Sequence, residues 1–127
     1  MKQLASCLIL KENKILLVKR FKEDFWKLPG KILSENEDPE LGAKDGTLKE
    51  TGLPVDIIQI FNEYQYKSTN NGNDTVNNIV YEASTTKTEP VEKTNEEIEK
   101  VAFFEMDELS KIKISPNLKL VIDDLGK

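Results

Sequence analysis

The sequence predicts an α+β domain with a mixed β-sheet, and three observations carry that prediction. Two apolar, strand-like segments around a short polar turn open the chain, one capped helix lies near the middle, and further strands precede a final apolar helix. The chain has 127 residues, a length that suits one domain with its own core. We therefore expect a single domain over residues 1–127.

The first part of the chain predicts strands around a loop. Residues 4–10 are nearly continuously apolar and predict a strand over residues 2–10. With the KILLVKR segment at 14–20, this strand predicts a β-hairpin across a polar turn. Residues 21–29 are interpreted as a loop, and residues 30–33 as a brief strand.

The middle of the chain predicts a helix with clear ends and a weak apolar face. Asp38 is a suitable N-cap, Pro39 suits the first turn, and Gly52 suits termination after Thr51. Glycines at positions 42 and 46 each destabilise a helix by about 1 kcal/mol relative to alanine. Tertiary packing or a functional site must therefore hold this helix.

The second part of the chain alternates turn signals with apolar segments. The predicted elements are a strand at 55–67, a turn at 68–74, a strand at 75–86, a loop at 85–95, a strand at 98–105, a short acidic turn or helix at 106–109 capped by Asp107, and a helix opened by Ser115 and Pro116.

The composition excludes several classes of site. The absence of histidine excludes Ser-His-Asp and Cys-His nucleophiles and histidine-ligated metals, so a metal would need oxygen ligands. A single cysteine, Cys7, excludes an internal disulfide and a four-cysteine zinc site. The net charge of −5 argues against nonspecific nucleic-acid binding. Arg20 is the only arginine, so at most one planar, bidentate guanidinium is available to a phosphate.

The hydropathy of the chain bears on its location. No apolar run approaches the roughly 20 residues of a membrane span, and the first residues lack the layout of a signal peptide. We therefore expect a cytoplasmic protein with no membrane partner.

Residues 26–55, WKLPGKILSENEDPELGAKDGTLKETGLPV, resemble the signature segment of the Nudix (MutT-like) hydrolase family. The segment ASCLILKENKILLVKR resembles that family's opening hairpin, and EEIEKVAFFEMDEL resembles its last core strand and the acidic turn after it. The resemblance implies an α/β/α sandwich with a mixed sheet, a central Nudix-box helix and a C-terminal helix.

The resemblance also implies a chemistry. The family's box helix presents glutamates at i, i+3 and i+4, so the three carboxylates share one face. They hold Mg²⁺ or Mn²⁺ against a pyrophosphate and help to position or deprotonate a water. The usual substrate is a nucleoside diphosphate linked to another group.

The box of this chain is degenerate where that chemistry lies. The family's isolated glutamate is kept as Glu37, and one of its paired glutamates is kept as Glu50. The other positions differ: Lys31 replaces the leading glycine, Asp45 the arginine, Gly46 a glutamate, Thr47 the aliphatic residue, and Lys49 the other paired glutamate.

These changes weaken metal binding. Because a unit-charge contact at about 4 Å is worth roughly 4 kcal/mol at an effective dielectric of about 20, the loss of two carboxylates and the gain of an ammonium are large effects. Lys49 would then pair with a ligand phosphate directly. The alternative is that Asp45 and Lys49, four residues apart, form an ordinary surface ion pair.

The site residues taken from the resemblance fall into two groups. The candidate catalytic residues are Glu50, Glu37 and Glu97, and Glu50 is also the candidate metal ligand. The candidate ligand-binding residues are Arg20, Trp26, Lys49 and Phe25. Besides Lys49, five of these residues have a structural alternative: a helix-dipole partner for Glu37, an acidic loop for Glu97, an exposed strand end for Arg20, and packing under the loop for the two aromatic residues.

Three functions follow as hypotheses. The first is a nucleotide- or phosphate-binding domain with weak or lost hydrolysis, which needs no cofactor. The second is an atypical hydrolase that uses Glu50, Glu37 and Glu97 around Mg²⁺ or Mn²⁺. The third is a non-catalytic scaffold or dimerisation domain. The implied partner in the first two is a small-molecule nucleotide or nucleoside diphosphate derivative, and a homodimer is compatible with the family.

Overall fold

A computed structural model of the chain describes residues 2–67, 74–87 and 96–126. Its elements, in chain order, are β1 (Lys2–Lys11), β2 (Lys14–Arg20), β3 (Trp26–Lys27), β4 (Gly30–Ile32), α1 (Pro39–Thr51), β5 (Asp56–Lys67), β6 (Thr75–Ser84), β7 (Ile98–Glu105), a 3₁₀ helix (Met106–Lys111) and α2 (Pro116–Leu125).

Strand β1 is the centre of the sheet that the described residues form. It pairs in parallel with β6 on one side, and antiparallel with β4 on the other side over Leu4–Ser6. Its carboxyl end continues into the antiparallel hairpin with β2. Strand β5 pairs with β6, while β3 and β7 pair with β2, all antiparallel. The mixed sheet expected from the sequence is therefore confirmed.

A two-residue turn makes the predicted hairpin. Glu12 and Asn13, between β1 and β2, have φ values of 53° and 66°. Two successive left-handed residues are typical of the type I′ turn, whose twist matches that of the flanking strands.

The two helices cover opposite faces of the sheet. Leu8 of β1 packs in the cluster that contains Leu118 and Val121 of α2. Its neighbours Cys7 and Ile9 point to the other face and pack with Ala43 of α1. This is the α/β/α sandwich that the resemblance implies.

Both helices begin where the sequence predicts, and α1 also ends where it predicts. The Asp38 side chain accepts a hydrogen bond from the Glu40 backbone N–H at 3.0 Å, and Ser115 Oγ accepts one from the Leu118 N–H at 3.3 Å. Gly52, with φ of 74°, ends α1 and donates its N–H to the Leu48 carbonyl at 2.8 Å.

Two predicted segments need correction. The stretch 21–29 is not wholly loop, because Trp26 and Lys27 pair with Lys19 and Val18 as β3. The acidic turn after β7 is a 3₁₀ helix that begins at Met106, so its cap position is Glu105 and not Asp107. The Glu105 N–H donates to Glu108 Oε1 at 2.8 Å.

The remaining differences lie at strand ends. The structure starts β5 one residue later than predicted and ends β4 one residue earlier and β6 two residues earlier. Residues 68–73 of the predicted turn and 88–95 of the predicted loop lie outside the described residues. Among the helices described, none has the length and apolar character that crossing a bilayer requires.

Candidate functional site

Glu50 lies on the inner side of α1, against the start of β4. It is one helical turn beyond Gly46 and two beyond Gly42, so the three positions form one stripe on the helix. Its Oε1 accepts a hydrogen bond from the Gly30 backbone N–H at 2.8 Å. Glu50, the only helix carboxylate retained from the box, is therefore already bound to the protein backbone.

Burial raises the pKa of Glu50 above its ordinary value, because desolvation disfavours the carboxylate. The Gly30 hydrogen bond and the positive charges of Lys27 and Arg20 act in the opposite direction, and the Glu23 carboxylate adds to the rise. The electrostatic neighbours Arg20, Glu23 and Lys27 are called the charged rim below. Two of its members, Arg20 and Lys27, are cations near the Glu50 carboxylate.

Glu23 and Lys27 form the inner pair of this rim. Lys27 Nζ lies 3.2 Å from Glu23 Oε1. That oxygen is inaccessible to solvent and makes no hydrogen bond. Sequence reasoning missed both residues, although Lys27 directly precedes the Leu28-Pro29-Gly30 segment that contacts Glu50. An inaccessible oxygen without a hydrogen bond marks this pair as incompletely satisfied.

Arg20 and Glu97 are brought together, although they lie far apart in sequence. The Arg20 guanidinium forms an ion pair with Glu97, whose side chain is 67% exposed. The Phe21 N–H also donates to the Glu97 carbonyl at 3.1 Å, which fixes the backbone beside that pair. The only arginine therefore has an exposed carboxylate beside it, and the ligand contact predicted for Arg20 stays a prediction.

Glu37 is held at the other end of the box loop. Its two oxygens accept hydrogen bonds from the Ser34 backbone N–H and from Lys31 Nζ, both at 2.9 Å. The Ser34 hydrogen bond and the Lys31 ammonium hold the pKa of Glu37 below its usual range. Lys31, which replaces the family's leading glycine, thus supplies the cation beside Glu37.

Trp26 is tied to the wall of the sheet rather than extended into solvent. Its ring centroid lies 4.6 Å from that of Phe104 in an edge-to-face contact. Its backbone N–H donates to the Lys113 carbonyl, and its carbonyl accepts from the Ser115 N–H, both at 2.9 Å. Trp26 also lines a cavity of about 550 Å³ along β7. Base stacking on this ring stays a prediction.

The two remaining candidates lie in the segment before β3 and in α1. Phe25 is half-buried in the segment before β3, and Lys49 is exposed in the last turn of α1. The ligand contacts predicted for both residues stay predictions.

The donor set does not fit a divalent metal. In residues 2–67, 74–87 and 96–126, no three histidine, cysteine, aspartate or glutamate side chains meet in a group that would hold one. Glu50 is bound to Gly30, Glu37 to Lys31 and Ser34, and Glu97 to Arg20. Hard cations such as Mg²⁺ need several oxygen ligands at once. We therefore derive no reaction step through a metal.

Comparisons with known proteins find a relative that matches most of this chain. A MutT-like protein from Streptomyces ambofaciens is 27% identical over 106 residues, which is 84% of this chain and 64% of that relative. This chain therefore spans less than two thirds of that relative's length.

Solved structures with the same fold cover most of the chain. A NUDIX hydrolase from Nitrosomonas europaea has a TM-score of 0.84 at 20% identity, over 98% of this chain and 88% of that one. An ADP-ribose pyrophosphatase from Streptococcus suis has a TM-score of 0.70 at 22% identity, over 89% of this chain and 78% of that one. These similarities show the fold.

A family-level match extends over almost the whole chain. The family model described as the NUDIX domain matches residues 1–125, from the opening strand to the end of α2. On that match this chain belongs to the Nudix family.

Proposed function

We propose that this protein binds the phosphates of a nucleotide or nucleoside diphosphate derivative with its own cations, and that hydrolysis is weak or lost. The observation that carries the proposal is the pairing at the box. Glu37 is bound by Lys31, and Glu50 is bound by Gly30 beside Lys27 and Arg20. Lys31 thus pairs with one retained box carboxylate, and Lys27 and Arg20 are electrostatic neighbours of the other.

The charged rim supplies the groups that phosphate recognition needs. The Arg20 guanidinium has a planar set of donors that matches two phosphate oxygens, and Lys27 adds a compact positive charge. A ligand phosphate would take the place of the exposed Glu97 carboxylate on Arg20, at little cost because surface ion pairs contribute about 0–1 kcal/mol. Lys49, on the exposed turn of the same helix, is a further candidate contact.

The ligand class is proposed from relatives and from the cavity. The Streptococcus suis structure is named as a pyrophosphatase of ADP-ribose, a nucleoside diphosphate derivative. Trp26 and Phe104 give the cavity along β7 an aromatic wall, which suits a base or another flat group. A cytoplasmic location remains part of this proposal.

The hydrolase hypothesis needs Glu50, Glu37 and Glu97 around one ion. Their present contacts compete with such an ion: Glu50 accepts a backbone N–H, and Glu37 accepts a backbone N–H and the Lys31 ammonium. The geometry therefore favours binding over metal-dependent hydrolysis.

A thermal-unfolding panel with product analysis tests the proposal. The panel contains ADP, ADP-ribose and UDP-glucose, each with Mg²⁺, with Mn²⁺ or with EDTA. Ligand at about 100 times its dissociation constant adds about 2.7 kcal/mol to the free energy of unfolding. We expect stabilisation in EDTA without release of a nucleoside monophosphate. Metal-dependent release would contradict the proposal and favour the hydrolase.

Matched charge variants assign the binding to the rim. We expect Arg20→Gln and Lys27→Gln to abolish most of the ligand-induced stabilisation. Lys119→Gln removes an equal charge from an exposed pair with Asp123 on α2 and should leave it unchanged. Equal losses in all three variants would mean that only the overall charge matters.

Strand β5 favours a second candidate function, self-association. Among the described residues β5 pairs only with β6, and it exposes Ile58 and Ile60 at 58% and 52%. Antiparallel pairing of two copies about the middle of β5 would set Asp56 of one copy opposite Lys67 of the other. Sedimentation velocity of the wild type and Ile60→Lys tests this candidate. A wild type that stays monomeric at high concentration would exclude it.

A further inference from the structure

Gly46 occupies the box position where the family carries a glutamate, and no side chain fits there. A Cβ atom on Gly46 would lie 2.6 Å from the Gly30 carbonyl carbon, 2.7 Å from its oxygen and 2.9 Å from the Lys31 nitrogen. All three are backbone atoms, and real Cβ atoms essentially never approach other atoms so closely. Helix α1 therefore rests directly on the backbone of β4.

Strand β4 is backed by β1 and has no room to retreat. Gly30 pairs with Ser6, and a Cβ on Gly30 would itself lie 2.2 Å from the Ala5 carbonyl oxygen. The Cys7 N–H donates to the Pro29 carbonyl at 3.0 Å, which fixes the approach to β4. A side chain at position 46 would therefore have to displace the helix.

The next turn of α1 also contacts Gly30, through a hydrogen bond. Glu50, four positions after Gly46, accepts the Gly30 N–H, so two successive turns of the helix meet one glycine. We name this contact of Gly46, Gly30 and Glu50 the α1–β4 lock. We propose that the lock has turned the box helix into a packing element, so that restoring glutamates at positions 46 and 49 does not restore a metal centre.

The α1–β4 lock would weaken metal binding by packing as well as by the loss of two carboxylates. If charge alone had been lost, glutamates at positions 46 and 49 would rebuild the family's i, i+3, i+4 set with Glu50. With the lock, a side chain at position 46 strains the backbone contact, and the hydrogen bond from Gly30 holds the Glu50 carboxylate against β4. The inference rests on the proposed function only in taking hydrolysis to be weak or lost.

Two glycine substitutions on the same helix test the packing. Gly46→Ala and Gly42→Ala gain the same helix propensity. A Cβ at position 42 would meet Leu33 Cδ2 at 2.4 Å, the end of a flexible side chain that can rotate away. We expect Gly46→Ala to lower the melting temperature by about 4–12 °C, as overpacking does, and Gly42→Ala to leave it equal or higher. Equal effects would overturn the lock.

Restoration variants test the consequence for metal binding. Lys49→Glu and the double variant Gly46→Glu with Lys49→Glu are titrated with Mn²⁺ by electron paramagnetic resonance and assayed against ADP-ribose. We expect Lys49→Glu to fold without gaining a tight ion. We expect the double variant to be destabilised and also to lack one. A folded double variant that binds Mn²⁺ tightly would overturn the proposal.

The two proposals fail separately. If the double variant does not fold, the comparison of Gly46→Ala with Gly42→Ala still shows whether position 46 accepts a side chain. Metal-dependent hydrolysis by the wild type would contradict the proposed function. A tolerant position 46, with EDTA-resistant ligand binding intact, would contradict only the lock.

Discussion

The two helices of this fold are held in place by different forces. Helix α2 buries Leu118 and Val121 in the core beneath it, and Ile122 and Leu125 pack at its side. The buried residues of α1 are small or polar: Gly42, Ala43, Gly46, Thr47 and Thr51. The larger apolar side chains of α1, Leu41 and Leu48, are 56% and 46% exposed.

This difference explains how the box helix keeps its position. Helix α2 combines apolar burial with side-chain hydrogen bonds to the sheet: Asn117 Nδ2 donates to Asn78 Oδ1 at 2.8 Å, and the Tyr64 hydroxyl donates to Asp124 Oδ2 at 2.5 Å. Helix α1 is held by a close backbone approach, by its end caps and by the partly buried Glu50 carboxylate. The placement of the box helix therefore depends on contacts with the backbone of β4 rather than on large apolar side chains.

The largest expected loss of stability comes from a leucine-to-alanine substitution in α2, compared with the same substitution in α1. Leu118→Ala should lower the free energy of unfolding by about 2–5 kcal/mol, because Leu118 is fully buried and leaves a cavity. Leu48→Ala, on the exposed side of α1, should cost less than about 1 kcal/mol. Denaturant unfolding of both variants measures the contrast. Similar costs would show that α1 also relies on apolar burial.

The next effect concerns the buried carboxylate of α1. Glu50→Ala leaves the Gly30 N–H without its acceptor and should cost about 1–3 kcal/mol. Glu50→Gln keeps an oxygen that accepts the same N–H and should cost much less near pH 5. If both variants lose the same stability, the hydrogen bond is not what holds the helix.

The pH dependence of Glu50→Gln sharpens that test. Because burial raises the folded-state pKa of Glu50 above 4.5, the folded protein binds this proton more tightly than the unfolded chain. Its stabilising contribution is full below pH 4.5 and is lost as the pH rises through the folded pKa. Glutamine does not titrate, so Glu50→Gln should gain stability relative to the wild type between pH 4 and pH 7. A flat or falling difference would contradict the shift.

The end caps should matter similarly in both helices. Asp38→Ala and Ser115→Ala each remove an N-cap acceptor and should cost about 1 kcal/mol. Only the Asp38 effect should weaken in high salt, because aspartate also adds a charge to the helix N-terminus. Unfolding at low and high salt checks this, and equal salt dependence would contradict it.

The smallest effect is expected at an exposed ion pair. Lys119 and Asp123 of α2 lie 3.8 Å apart on the solvent side. Lys119→Ala should change the free energy of unfolding by less than about 0.5 kcal/mol. A larger loss would show that surface charge also contributes to the stability of α2.

Local signals in the sequence determined most of the fold. The end caps of both helices and the apolar strands are short-range patterns, and the structure follows them closely. The resemblance of the box and its flanking segments was sufficient to identify the family and its sandwich fold. Strand β3 was missed because a two-residue strand forms only when β2 lies beside it.

The sequence alone also established that the box lacks two carboxylates, because residue identity at fixed spacing is independent of geometry. Only the tertiary structure decided what took their place. Lys31 reaches Glu37, Lys27 and Arg20 lie around Glu50, and Gly46 meets the backbone of Gly30. These contacts relate β2 and β3 to α1, join α1 to β4, and join β4 to the loop that precedes α1. They depend on how α1 packs on the sheet, which no local pattern in the sequence encodes.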